Sequence, residues 1–252
     1  MKPKNLIWFI RHGYSVFNQA RDQHKLDPSI PYDRHSKDLV DAKLHPKGIE
    51  QSIEAQKNVN DKNICYVFVS PLLRALETSQ LMFANHPNLG KIKFIVHPLL
   101  AEILKNANDI PNHTLKELRP KLEGLEKYKF DFSLFDSLSK PDLYYLLYLD
   151  NPIKEQLIKR IEEAKEDEID IVLEAMRSAK GNIENDFNLA NRIKLFKDYL
   201  LEFIKVNVKA EEEVAVVTHS EVITHVFAKE FDEAGKPKFM DMLNCEIFQY
   251  QL

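Results

Sequence analysis

Leu6-Ile-Trp-Phe-Ile-Arg-His-Gly-Tyr-Ser-Val-Phe-Asn18 runs five apolar residues straight into an arginine, a histidine and a glycine. An unbroken apolar run of this length predicts a strand covered on both faces, as in a parallel sheet under helices. Comparable runs stand at 65–69, 92–96 and 214–217, while 246–252 alternates more and suits a sheet edge. Helical periodicity fills the intervals at 46–59, 72–83 and 188–206. In the last, Leu189, Ile193, Phe196, Leu200 and Phe203 form one apolar stripe. Strands alternating with helices predict an open α/β sheet. Between about 106 and 182 the strand signals vanish, and we read a helical insert, a lid within a single 1–252 domain rather than a domain of its own.

Composition places the chain among ordinary folded proteins: 252 residues, 44% hydrophobic and 29% charged, enough to bury a large core. The formal net charge of −4 argues against nucleic acid or an anionic membrane as partner. The run 6–10 is too short for a signal core or a membrane span, so the expected location is cytoplasmic. Cys65 and Cys245, both in strand-like runs and without metal-ligand spacing, read as reduced buried thiols. With six glycines in all, no glycine-rich phosphate loop is available.

The residues just beyond each strand carry the chemistry. Ile10 leads to Arg11-His12-Gly13, Val69 to Ser70-Pro71-Leu72-Leu73-Arg74, Val96 to a stretch ending in Ala101-Glu102, and Val217 to Thr218-His219. Open α/β sheets bind ligands beyond the carboxyl ends of their strands, so these residues should share one edge. Two arginines, two histidines and a carboxyl group suit a phosphoryl group. Guanidinium forks match phosphate oxygens, a neutral imidazole is a nucleophile, and a carboxyl group can protonate a leaving alcohol. Such a pocket needs neither metal nor cofactor. The remaining histidines lack zinc-ligand spacing. The acidic stretch 162–170 reads as a solvated helix face, and Tyr144, Tyr145 and Tyr148 as packing within the insert.

Arg11-His12-Gly13-x-Ser15-x-x-Asn18 resembles the signature of the histidine phosphatase superfamily, the phosphoglycerate mutase-like fold. In the same order come Leu44-His-Pro-Lys-Gly48-x-x-Gln51, Ser70-Pro71-x-x-Arg74-Ala75-x-x-Thr78, the segment around Glu102, and Val217-Thr218-His219. The resemblance implies a three-layer α/β/α core with a mostly parallel sheet and a covalent phosphohistidine on His12. It implies Arg11, Arg74 and His219 on the phosphoryl oxygens, Ser15 and Asn18 as further substrate-binding positions, and Glu102 as proton donor; Ser220, next to His219, is read as a substrate-binding position as well. Tyr14 and Ser220-Glu221 depart from the family's pattern and bear on substrate choice. The function these residues point to is a metal-independent phosphomonoesterase acting on a small phosphorylated substrate. The alternatives are a phosphoglycerate mutase-type phosphotransferase and a pseudophosphatase that binds phosphorylated ligands.

Overall fold

A computed structural model describes residues 6–123, 125–149, 152–164, 166–179, 183–233, 235–238 and 240–251. Residues 182 and 252, where the expected insert and last strand end, lie outside them. Strands β1 (Leu6–Arg11), β2 (Ile64–Val69), β3 (Lys93–Val96), β4 (Phe130–Asp131), β5 (Glu213–Thr218) and β6 (Ile247–Gln251) form one sheet in the order β4-β3-β2-β5-β1-β6. Every pairing is parallel except that of β6, the edge strand, which runs antiparallel to β1.

Alternation along each central strand sends neighbouring residues to opposite faces. Ile10, Val67, Val69, Phe94, Val96, Ala215 and Val217 join one apolar cluster. It takes in Ala55 and Val59 just after α2 (Pro46–Glu54), and packs against α3 (Leu73–Phe83) and the helices of the 106–182 stretch. Ile7, Phe9, Phe68, Ile95, Val214 and Val216 join the other, under α8 (Asp186–Asn207) and α9 (Ser220–Phe227). The layers are therefore α/β/α. The apolar stripe of α8 buries Leu189, Ile193, Phe196 and Leu200, and continues to Ile204. Phe203 is only partly buried and closes edge-on over Tyr66 and Phe68.

Several expectations are corrected by packing. The helix expected over 46–59 is α-helical only to Glu54, and a tighter 3₁₀ turn follows over Ala55–Asn58. The 106–182 stretch holds α4 (Leu115–Glu123), α5 (Tyr144–Leu147), α6 (Pro152–Glu163) and α7 (Glu168–Ser178), but also β4. Two residues are too few to show a period, and Phe130–Asp131 become a strand only because β3 offers a free edge. The acidic stretch 162–170 spans the end of α6 and the start of α7 rather than one helix face. Cys65 is only half-buried, and Cys245 sits in a turn before β6 at φ 60.

Register then positions the site. Val96 lies beside Val69, Val69 beside Val217, and Val217 beside Ile10, so four strands end on one line. The backbone stays paired one step further: His12 N–H donates to Thr218 O at 2.9 Å and Ser70 N–H to Val217 O at 3.0 Å. His97 N–H donates to Val69 O at 2.9 Å. The residues beyond these pairs are thereby fixed in height along one sheet edge.

Candidate active site

A cavity of about 130 Å³ opens at this edge, lined by Arg11, His12, Asn18, Arg74, Glu102, Ser220 and Glu221 among others. His12 Nδ1 lies 2.7 Å from Gly13 O. A carbonyl only accepts, so Nδ1 carries the proton of the neutral ring and Nε2 holds the lone pair. That lone pair accepts from Arg74 Nε at 3.3 Å. Burial, helped by Arg74 and Arg11, holds His12 well below the usual imidazole range, so the ring is neutral at working pH. His219 stands beside it with ring centroids 5.1 Å apart. Its Nε2 is 2.7 Å from Ser70 Oγ, and Nδ1 has no partner. A Ser70 hydroxyl that donates to Nε2 leaves the proton of the neutral ring on Nδ1.

Arg74 is 1% exposed, and the start of the 106–182 stretch holds it. Nη1 donates to Asn108 O at 2.5 Å, and Nη2 pairs with Asp109 Oδ1 at 3.1 Å. Asp109 is fixed in turn by the N–H groups of Lys105 and Asn106 and the Asn106 side chain. Arg11 donates from Nη1 to Met242 O at 2.6 Å and leaves Nε unpartnered. Glu102 accepts from Ile103 N–H at 3.0 Å. Burial, then the negative charges of Asp109 and Glu221, push Glu102 up to about 8 against the pull of Arg74. A carboxyl group so placed is protonated at neutral pH.

The loop after β1 is shaped by two glycines. A Cβ on Gly13 would lie 2.7 Å from Gly48 O, and one on Gly48 would overlap the Tyr14 carbonyl oxygen. Thr78 Oγ1 accepts from Gly13 N–H at 2.9 Å and donates to Arg74 O at 2.6 Å, so one hydroxyl joins the two loops. Gln51 Oε1 accepts from Tyr14 N–H at 3.0 Å. Ser15 is fully buried and caps α1 (Val16–Leu26) in a capping box with Asn18; it does not line the cavity, whereas Asn18 does. Ser220 lines the cavity as the first residue of α9, and Glu221 N–H is 3.5 Å from Glu102 Oε2. The Tyr14 ring turns away from the cavity, with its hydroxyl on Asp22 and its face under Lys47.

The structure thus brings Arg11, His12, Arg74, Glu102 and His219 together and adds residues that the sequence pattern did not single out. Asp109 and Asn108 hold Arg74, Asn244 Nδ2 donates to His12 O at 2.9 Å, and Arg21 and Lys105 stand at the rim. Asp109 left a readable trace, since Asn106-x-x-Asp109 is a capping box. Among the described residues no three His, Cys, Asp or Glu side chains cluster as a metal site, and no helix is long and apolar enough to cross a membrane.

Residues 7–124 match the family model of the histidine phosphatase superfamily, branch 1. Over that stretch, just under half of the chain, the sequence is similar to that superfamily. The chain is also 32% identical over 112 residues to the 2,3-bisphosphoglycerate-dependent phosphoglycerate mutase of Chlamydia abortus. That match covers 42% of this chain and 41% of the relative, so it spans about two fifths of the relative's length. A second match, to the enzyme of the same name from Chlamydia pneumoniae, is 32% identical over 92 residues and covers 36% of this chain and 34% of that one. In structure the chain resembles phosphoglycerate mutase from Bacillus anthracis, with TM-score 0.53 and 18% identity over 98% of this chain and 88% of that one. It also resembles a mycobacterial glucosyl-3-phosphoglycerate phosphatase, with TM-score 0.50 and 14% identity over 97% and 92% of the two chains. At these identities the likeness to solved structures is one of fold.

Proposed function

We propose that this histidine phosphatase homologue is a phosphomonoesterase that works through a phosphorylated His12. The observation that carries the reading is one pair of opposed protonation states. A neutral imidazole with its lone pair on Nε2 and a carboxyl group pushed up to about 8 line the same cavity. His12 Nε2 attacks phosphorus in line, the ester P–O bond breaks, and the departing alkoxide takes the Glu102 proton. Water then attacks the phosphohistidine, losing its proton to the Glu102 carboxylate, and inorganic phosphate leaves. Arg11, Arg74 and His219 Nδ1 supply the charge and donors that the equatorial oxygens need, so positioning and electrostatics provide most of the acceleration. An incoming phosphate dianion would also draw the Arg74 donor off the nucleophile's lone pair.

Water as the acceptor is supported by the size of the cavity. At about 130 Å³ it is small beside the ~300 Å³ and above usual for ligand pockets, room for a phosphoryl group and little more. Transfer between two positions of one sugar acid is the second reading, favoured by the names of the two curated relatives. Both readings are tested together. Phosphate release from a panel of metabolites is measured with EDTA present, and the labelled phosphoenzyme is chased with water or with 3-phosphoglycerate. We expect release to water with or without the acceptor. Label passing to 3-phosphoglycerate would establish the mutase, and near-normal turnover by His12→Ala would remove both.

A further inference from the structure

Behind the cavity lies a buried ion pair that the phosphoryl chemistry does not use directly. Arg192, midway along the buried stripe of α8, and Glu184, just before that helix, are 4% and 3% exposed. Arg192 Nε donates to Glu184 Oε1 at 3.0 Å and Nη2 to Oε2 at 3.1 Å, a two-pronged pairing. Its Nη1 donates to two carbonyls of one loop, Leu99 O at 2.8 Å and Ala101 O at 2.6 Å. Glu184 Oε2 returns to the same loop by accepting from Leu104 N–H at 2.9 Å. The carbonyl between, Leu100 O, accepts from Thr218 Oγ1 at 2.9 Å, next to His219. Residues 99–104 are therefore held on both sides of Glu102.

A buried pair of this kind is weak evidence for stability, because removing two charges from water offsets most of their attraction. Its geometry explains more. The loop contains no α-helix or strand between β3 and residue 104, only a short 3₁₀ turn at Pro98–Leu100. Locally the Glu102 carboxyl is held by the Ile103 N–H, a group of the same loop, so its height depends on what fixes the loop as a whole. A planar guanidinium satisfies carboxylate and carbonyls at once, which an ammonium group cannot do.

We infer that Arg192 and Glu184 form a clamp that positions Glu102 for proton donation, making them positioning residues of the acid step. This rests on Glu102 being the acid. Loss of the clamp should slow substrates that need a proton and spare those that do not. Loosening the loop should also admit water beside Glu102 and lower its pKa toward the ordinary carboxylate range.

The test compares Arg192→Met, Arg192→Lys, Glu184→Gln, Glu102→Gln and the double variant Arg192→Met/Glu102→Gln on an alkyl phosphate and on p-nitrophenyl phosphate. For the clamp variants we expect kcat/KM on the alkyl ester, which reports the step that releases the alcohol, to fall roughly ten-fold or more, part of the ~10²–10⁴ a positioned acid contributes. On the aryl ester we expect kcat/KM to hold within about two-fold, against that same acid contribution. The alkaline limb of the alkyl-ester profile should move to lower pH. The double variant should be no slower on the alkyl ester than Glu102→Gln alone, since residues acting through one group are not additive. Equal losses on both substrates, or a further loss in the double variant, would overturn the clamp while a substrate split in Glu102→Gln keeps the acid. Absence of that split in Glu102→Gln itself would overturn the acid and the clamp with it. Should Arg192→Met fail to fold, Arg192→Lys and Glu184→Gln decide by the same split.

Discussion

Glu102 and His12 face the same cavity with opposite needs, and burial serves both. Desolvation disfavours charge on either group, keeping the imidazole free of its second proton and the carboxyl in possession of its only one. Glu102 donates only while protonated, so kcat/KM on alkyl phosphates should fall as pH rises through about 8. On p-nitrophenyl phosphate, whose leaving group is stable without a proton, that limb should be weak. Glu102→Gln should lose ~10²–10⁴-fold in kcat/KM on alkyl esters and far less on the aryl ester, as steady-state kinetics would show. Because its folded pKa is raised, the contribution of Glu102 to stability is fully present below the ordinary carboxylate range. It is lost as pH rises through about 8. Arg11, His12 and Arg74 were legible because each follows a strand within five residues. Arg192 was not, since a lone arginine within the apolar pattern of 188–206 gains meaning only when α8 meets the 99–104 loop.

Elements reach the site through close contacts that tolerate little added bulk. The α2 N-terminus meets the loop after β1 at Gly48, where a methyl group would overlap the Tyr14 carbonyl oxygen. His45 N–H donates to that same oxygen at 3.0 Å, and Gly48 N–H to His45 O at 2.7 Å, so neither side has room to retreat. Gly48→Ala should therefore destabilise the fold by about 1–3 kcal/mol, the usual cost of overpacking. It should also lower kcat on aryl and alkyl esters alike, because it shifts the nucleophile's loop and not the acid. Thermal unfolding and the two-substrate assay would check both halves. In the sheet, Phe68→Ala removes a fully buried ring that meets Phe196, Tyr199 and Phe203 edge-on and should cost ~3–5 kcal/mol in denaturant unfolding. The five longer strands were readable from β-branched and aromatic runs. β4 was not, because its existence depends on the edge of β3 and not on its own two residues.

Over the whole molecule the net charge is −4, yet the cavity gathers Arg11, Arg21, Arg74 and Lys105 around a carboxyl group that is neutral at working pH. Asp109 offsets Arg74, while Arg21 at the rim remains partly exposed beside Asp22. A cationic cavity in an anionic protein focuses attraction on its mouth and should speed capture of phosphate dianions. We expect kcat/KM to fall as NaCl rises, with kcat nearly constant, because salt screens the approach more than the buried chemistry. Lys105→Ala and Arg21→Ala should flatten that dependence; an unchanged salt slope in the double substitution would place the attraction elsewhere.

The position of β1 between β5 and β6 carries a consequence for how the molecule is made. Trp8 and its partner Glu213 are 205 residues apart, and β6 arrives later still. At ~5–20 residues per second of synthesis, β1 spends roughly 10–40 s without either neighbour. During that interval Ile7, Phe9 and Ile10 are an apolar strand with two open edges, the kind of segment chaperones protect. His12 also lacks the two groups that hold its backbone, since Thr218 and Asn244 have not yet been translated. Chain order thus completes the backbone setting of His12 only after residues 218 and 244 have been made.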